Sequence, residues 1–252
     1  MVIGDRGLKV ASIFAEEAAT SLNYILDQLA WGPAAALLLL ENLVIFGLAV
    51  GLGGLVVRAC RNHPVAPPPG PIERTEIVYA AVTVLLNTAV TVAGLWLYRR
   101  GIVRFRRDLG LRALLDVPIL LLVMDLAMYF LHRVVHHEPF YRWFHALHHR
   151  YTSSRPLTLF VLSPQETLAF GGLWLFVIWL YPPSWLGMSI YLALNVAFGV
   201  IGHLGVEPLP ARWLPMTLAT STFHSDHHQD RTRNFGFYTT VWDRLFGTLG
   251  SK

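Results

Sequence analysis

The stretch Leu114-Leu115-Asp116-Val117-Pro118-Ile119-Leu120-Leu121-Leu122-Val123-Met124-Asp125-Leu126-Ala127-Met128-Tyr129-Phe130-Leu131 runs directly into His132-Arg133-Val134-Val135-His136-His137. An apolar run of this length predicts a membrane-spanning helix. The histidines at its end place polar chemistry where that span would meet water. Working outward, apolar segments recur at about 34–57, 77–98, 164–181 and 185–203. Five such segments predict an all-α, polytopic membrane helical bundle, because a helix satisfies its own backbone in lipid.

The connections carry their own signals. Pro64, Pro67, Pro68, Pro69 and Pro71 make His63–Pro71 a loop. Pro182-Pro183-Ser184 turns the chain between the last two spans. Ser163-Pro164-Gln165-Glu166 has the form of a capping box with Pro at the first helical position. That reading makes Glu166 a helix cap rather than a catalytic acid. In the first span, Glu41 and Asn42 are expected to face other helices, and Gly47 and Gly51 have the small-xxx-small spacing of a packing face.

Composition agrees with a membrane protein. Of 252 residues, 54% are hydrophobic and only 14% charged. A water-soluble domain of this size would carry more charge. The net charge is +4, but the basic residues flank the spans and are not interleaved with aromatics on a polar face. They read as membrane flanks, and no nucleic-acid partner is expected. The single cysteine, Cys60, excludes an intrachain disulfide and any Cys-rich metal site. Near the N-terminus, Asp5, Arg6, Lys9, Glu16 and Glu17 leave no apolar core for a signal peptide. Val10, Phe14, Ala18, Leu22, Ile25 and Leu29 share one helical face, which predicts an amphipathic helix on the bilayer or on the other helices.

Ten of the eleven histidines lie between positions 132 and 228. They form three boxes: His132-x-x-x-His136-His137, His145-x-x-His148-His149 and His224-x-x-His227-His228, with His203 alone at the end of the last span. On a helix, residues at i, i+3 and i+4 share a face, so each box is expected to present two or three imidazoles to one point. Imidazole is the commonest nitrogen ligand for redox metals and zinc. This many rings exceeds what one ion needs and predicts a pair of ions in a histidine-rich cap at the membrane interface. His137 is left off the ligand set, because His136 already fills the i+4 position; the alternative is a helix that uses His132 with His137, at i+5. His63 is expected to be a bystander. His137-Glu138 does not start a zinc-protease motif, since Tyr141 stands where its second histidine belongs.

At these residues the chain resembles the fatty acid hydroxylase superfamily, which includes sterol desaturases and methyl-sterol oxidases. The resemblance rests on Asp125-x-x-x-Tyr129 before His132-Arg133-x-x-His136, then Pro139, Tyr141 and the His145 box. Gly202-His203, the His224 box, Asn234-Phe235-Gly236 and Trp242-Asp243-Arg244-Leu245-Phe246-Gly247-Thr248 continue it. It covers about residues 113–250. It divides the chain into residues 1–112, holding the amphipathic helix and first two spans, and a hydroxylase-like part, 113–252, in a single integrated unit.

The resemblance implies two non-haem iron ions, O2 as oxidant and two electrons from NAD(P)H. A separate carrier, cytochrome b5-like or ferredoxin-like, is expected to deliver them. The substrate class it implies is a lipid, hydroxylated or desaturated at a C–H bond. An unactivated C–H bond has no acidic proton, so side-chain acid–base chemistry cannot open it and a redox metal is needed. Zinc, having no redox chemistry, would leave the protein inactive.

The expected metal ligands are His132, His136, His145, His148, His149, His203, His224, His227 and His228. Only neutral imidazole ligates, so metal affinity should fall as pH drops through about 6. Asp125, an acid inside an apolar segment two turns before His132, is expected to orient an imidazole, with Asp226 and Asp243 as further candidates. Their bland alternatives are a helix cap for Asp226 and a surface ion pair for Asp243.

Sidedness is contested within the sequence. Arg99, Arg100, Arg104, Arg106, Arg107 and Arg112 argue for a cytoplasmic loop. If the next span crosses fully, the histidines then fall on the other side. A cytosolic electron supply argues the opposite, for a cytoplasmic centre, and that argument is preferred. An interfacial helix over the arginines or a re-entrant neighbour would reconcile the two. Arg142, Arg150 and Arg155 would suit an acidic carrier or lipid headgroups equally well. The competing classes are a metal transporter and a structural zinc protein. A transporter would set its ligands near mid-membrane, and nine ligands exceed what structural zinc requires.

Overall fold

The computed structural model describes residues 26–208 and 217–250, with residues 17, 20 and 24. The helical face from Val10 to Ile25 lies outside the described residues, apart from Leu29 at its end. Five long helices carry the fold: α1 (Trp31–Ala59), α2 (Arg74–Arg99), α3 (Leu111–Val135), then, after a short α4 (Phe140–Phe144), α5 (Pro164–Leu180) and α6 (Trp185–Gly202). Two small helices follow, α7 (Ser221–Gln229) and α8 (Val241–Leu245). Among the described residues the regular secondary structure is all helical, apart from isolated bridges.

Four of these, α1, α2, α3 and α6, are long and apolar enough to cross a membrane. The fifth segment expected to span is α5, and at 17 residues it is shorter than the other four. At 1.5 Å per residue it reaches about 25 Å, against an apolar core of about 30 Å. The exposed apolar side chains fit lipid rather than water: Leu37, Leu40, Leu43, Val44, Leu48, Leu52 and Leu55 line α1. Inside, Leu120, Met124 and Met128 of α3 pack with Val177 of α5 and Tyr191 of α6.

Some expectations for α1 do not hold. Glu41 is exposed rather than turned to other helices, and Asn42 returns its amide to the Leu38 carbonyl at 2.9 Å. Gly47 and Gly51 have open space where a side chain would stand. Close contacts fall instead at other glycines, among them Gly187 of α6. A Cβ there would lie 2.5 Å from the Asp116 Cβ and 2.6 Å from the Ala113 carbonyl oxygen.

That contact belongs to a polar lock. The fully buried Asp116 accepts hydrogen bonds from Arg106 (2.8 and 2.9 Å), the Tyr181 hydroxyl (2.6 Å) and the Ser184 amide (2.7 Å). The lock holds the α2–α3 connection against the α5–α6 turn. Asp116 and His132 are sixteen residues apart on α3, about 24 Å along its axis. The arginine-rich connection and the histidines therefore sit at opposite ends of the bundle. Residues 100–110 are a non-helical link and not an interfacial helix. Arg99 binds the carbonyls of Leu26 and Leu29 and covers the Trp31 ring at 4.5 Å.

At the histidine end, the proline-rich loop is tied down. The Val65 amide meets the Gly205 carbonyl at 3.1 Å, and the Glu207 amide meets that of His63 at 2.9 Å. Glu73 and Glu76 at the start of α2 engage Arg150 and Arg155.

Gly187→Ala should force α3 and α6 apart at the lock. It is expected to cost about 1–3 kcal/mol, the usual range for overpacking, read as a lower unfolding temperature in detergent. Gly47→Ala should leave that temperature unchanged or slightly raised.

Candidate metal centre

Nine imidazoles converge at one end of the bundle, in two groups. His132, His136, His145, His149 and His227 form one; His148, His203, His224 and His228 form the other. Within each group the candidate ligand nitrogens all lie within 4.8 Å of one another. These are the nine residues read from the sequence as ligands. His137 is exposed and, like His63, belongs to neither group.

The boxes do not each serve one point, as their spacing suggested. His145 ends α4, and His148 and His149 lie in a separate 3-10 turn, so the second box is not one helix. Its His145 and His149 join the first group while His148 joins the second. On α7, His227 faces the first group and His224 and His228 the second. The i, i+4 pairs His132/His136, His145/His149 and His224/His228 each stay together, while the i+3 members His148 and His227 cross to the other group. Splitting each of the last two boxes across the gap ties the two groups into one centre.

Five of the nine rings are fixed by a group facing Nδ1. His132 meets the Phe235 carbonyl oxygen at 2.9 Å, His203 that of Gly199 at 2.7 Å, and His227 that of Arg233 at 2.6 Å. His148 meets the Val161 carbonyl at 3.4 Å, and His145 meets Glu166 Oε1 at 2.6 Å. A backbone carbonyl oxygen only accepts, so Nδ1 of His132, His148, His203 and His227 carries the proton and each Nε2 presents a lone pair; the Glu166 carboxylate, when ionised, does the same for His145. The Nε2 atoms then face one another: His132 to His145 at 3.0 Å, and His203 to His148 at 3.2 Å.

Lone pairs opposed at that distance repel unless a cation lies between them. Two nitrogens each about 2.1 Å from one ion, at roughly right or tetrahedral angles, stand about 3.0–3.4 Å apart. The donor set therefore fits two metal ions, one per group.

The acids take roles the sequence did not reveal. Ser163 caps α5 by accepting the Glu166 amide at 3.1 Å, as expected. The Glu166 carboxylate, however, does not close the box but reaches His145. Asp125 has no imidazole among its described partners. It accepts from the Tyr238 amide (2.8 Å), the Thr239 hydroxyl (2.6 Å) and the Trp242 indole (3.1 Å). Its role is to anchor the C-terminal segment and not to orient a ring.

Asp243 is buried, so it is no surface ion pair. It accepts the Phe235 and Gly236 amides, both at 2.8 Å. In the same turn Asn234 adopts a left-handed φ of 59°, held by contacts to Phe223 and Gly250. That turn offers the Arg233 and Phe235 carbonyls to His227 and His132. Asp243 thus orients His132 through the backbone. Asp226 sits half-buried in α7, and a side-chain cap on that helix comes from Thr220 instead.

Burial, helped by neighbouring imidazoles, holds His145, His224 and His228 well below the usual histidine range. His203 is pushed down to about 4 by burial, against the pull of the Gly199 carbonyl. These rings stay neutral at pH 7, the form that ligates. In the folded centre, protons compete with metal only at more acid pH than the threshold near 6 expected from free imidazole.

The arrangement is that of a membrane protein with a buried, all-imidazole centre suited to two metals. A family model described as fatty acid hydroxylase matches residues 117–248. That is more than half of the chain, and the chain belongs to the fatty acid hydroxylase family. A cholesterol 25-hydroxylase-like protein of Danio rerio is 35% identical over 150 residues, covering 55% of this chain and 57% of its own length. Methylsterol monooxygenase 1 of Danio rerio is 30% identical over 127 residues, 50% of this chain and 44% of that protein. Lathosterol oxidase of Rattus norvegicus is 27% identical over 184 residues, 69% and 60%. The chain spans about half the length of the first two of these curated relatives. No solved structure matches it. The fold, the family and these relatives make it an integral membrane protein of a lipid-modifying oxidoreductase family.

Two outcomes follow from the ring geometry. Glu166→Ala removes the acceptor that holds His145 and should weaken metal binding about 10–100-fold, measured by chelator competition, with Glu166→Gln less affected. For stability, the folded histidine pKa values lie below the unfolded value of about 6.5. The unfolded chain then binds more protons, so stability is complete above that value and falls as pH drops below it. Metal-free protein should show a falling unfolding temperature between pH 7 and 5, and a flat one above pH 7.

Proposed function

We propose that this chain is an O2-dependent di-iron enzyme that hydroxylates or desaturates a lipid C–H bond. The single observation that carries the reading is the split of nine neutral imidazoles into two facing groups at the end of a lipid-exposed bundle. All nine are assigned as ligands. Two iron ions held there would supply the O2 activation that no side chain provides.

The chain's own residues do the rest. Carbonyls of Gly199, Val161, Arg233 and Phe235, with Glu166, hold Nδ1 of His203, His148, His227, His132 and His145 and so fix the ligating face of those five rings. A small recess lined by Phe198, Gly199, Gly202, Ala219, Thr220, Gly236 and Phe237 abuts His203 and His224, with room for about one water molecule. In this reading an alkyl segment widens it to reach the four-histidine group. The named relatives include a methylsterol monooxygenase and a lathosterol oxidase, which supports a sterol or related lipid as substrate.

Hydroxylation consumes the lipid, O2, two electrons and two protons, and returns one oxygen in the product and one in water. A separate cytochrome b5-like or ferredoxin-like carrier, drawing on NAD(P)H, is the electron source in this reading. The centre is assigned to the cytoplasmic side. Arg58, Arg61, Arg74, Arg133, Arg142, Arg150, Arg231, Arg233 and Arg244 at the histidine end outnumber the arginines of the opposite end. Residues 1–112 and 113–252 act as one unit, tied by the contacts of Glu73 and Val65 across that division. All nine rings gather at one end rather than along the spans, which speaks against a metal transporter.

Iron-loaded protein, incubated with a reductase system and membrane lipids, should yield a product heavier by one oxygen or lighter by two hydrogens in mass spectra. His148→Ala is expected to abolish the product and lower bound iron, while His63→Ala changes neither. Full activity in His148→Ala would reject the assignment.

A further inference from the structure

The C-terminal helix α8 offers a surface that the centre does not use. Its inward side is spent on α3: the Trp242 indole reaches Asp125 at 3.1 Å, and Phe246 stacks on Tyr129 at a centroid distance of 5.4 Å. Asp125 and Tyr129 precede His132 by seven and three residues, so the segment from Trp242 to Phe246 lies about 5–10 Å back along α3 from the histidines, beside the end of the apolar span. The outward side at that depth carries apolar side chains together with the exposed Arg244, a long side chain that can reach the headgroup level. Leu245 is 67% exposed, and Val241 and Phe246 are exposed beside it.

These side chains continue an existing lipid-facing surface. Phe246 meets Phe130 of α3 edge-on at 5.3 Å, and Phe130 is itself exposed on the same span as Leu122. An apolar surface at the depth of a membrane span, continuous with that span's own outer face, has acyl chains as its neighbour.

We propose that α8 is an interfacial helix lying laterally in the bilayer, with Val241, Leu245 and Phe246 against lipid acyl chains. The segment from Val241 to Thr248 then straps the cap onto the membrane, rather than projecting into water with the rest of the polar C-terminal part. The proposal is independent of the reaction assigned above.

The chain has one cysteine, so Cys60→Ser gives a background for single nitroxide labels. Labels at Leu245→Cys and Val241→Cys would be compared with Leu122→Cys on the outer face of α3 and Pro69→Cys in the proline-rich loop. The protein would be reconstituted in phosphatidylcholine vesicles. Collision with O2 and with a water-soluble nickel chelate reports lipid or water at each label. The proposal expects an O2-to-nickel ratio at Leu245 and Val241 matching that at Leu122, severalfold above that at Pro69. Nickel accessibility like that of Pro69 means water, and low accessibility to both reagents means a protein partner; either overturns it. The two label sites keep the test open if one variant fails to fold.

Discussion

The structure depends on hydrogen bonds from imidazole Nδ1–H groups to fixed oxygen acceptors. Each such bond commits a ring to one tautomer and turns its other nitrogen inward as a lone pair. Without those acceptors the rings would hydrogen-bond one another and collapse into a polar cluster with no site. With them, His132 and His145, or His203 and His148, are held about as far apart as two ligands of one ion must be. The acceptors come from distant parts of the chain: Gly199 at the end of α6, Val161 before α5, Glu166 within it, and the turn at Arg233–Phe235. The centre therefore exists only when the whole bundle is assembled.

Two anchors bring those parts together. At the far end, Asp116 locks the α2–α3 link to the α5–α6 turn, which sets the relative height of α3 and α6. At the near end, Asp125 and Tyr129 bind the C-terminal segment, with Tyr129 meeting the Thr248 hydroxyl at 2.9 Å. The paired motifs Asp125-x-x-x-Tyr129 and Trp242–Thr248 are thus two halves of one clamp. Asp243, inside that clamp, shapes the turn that aims His132 and His227. Polar residues in the apolar span are retained here for assembly of the centre, at a distance from its chemistry.

The sequence made much of this legible. Helix boundaries fell within a few residues, because apolar length and flanking Pro or Arg are local signals. The nine ring residues could be named because His-x-x-His-His repeats are rare by chance. What the sequence hid was tertiary. It could not show that the second and third boxes divide between two groups, since residues 145–149 are not one helix and, on the continuous helix α7, the i+3 ring turns to a different group from its i and i+4 neighbours. Glu166 looked like a cap because Ser163 stands three residues before it, and the Ser163 half of that reading is correct. Its carboxylate finds His145 only through the fold. Asp125 looked like a ring partner from its face on α3, but the C-terminal segment reaches it first. The opposition of arginines and histidines followed from a full crossing by α3, which apolar length alone had suggested.

Anomalous diffraction at the iron edge from crystals of the iron-loaded protein tests the account most directly. Two peaks are predicted, one among the Nε2 atoms of His132, His136, His145, His149 and His227 and one among those of His148, His203, His224 and His228. A single peak, or peaks outside these two groups, would contradict it.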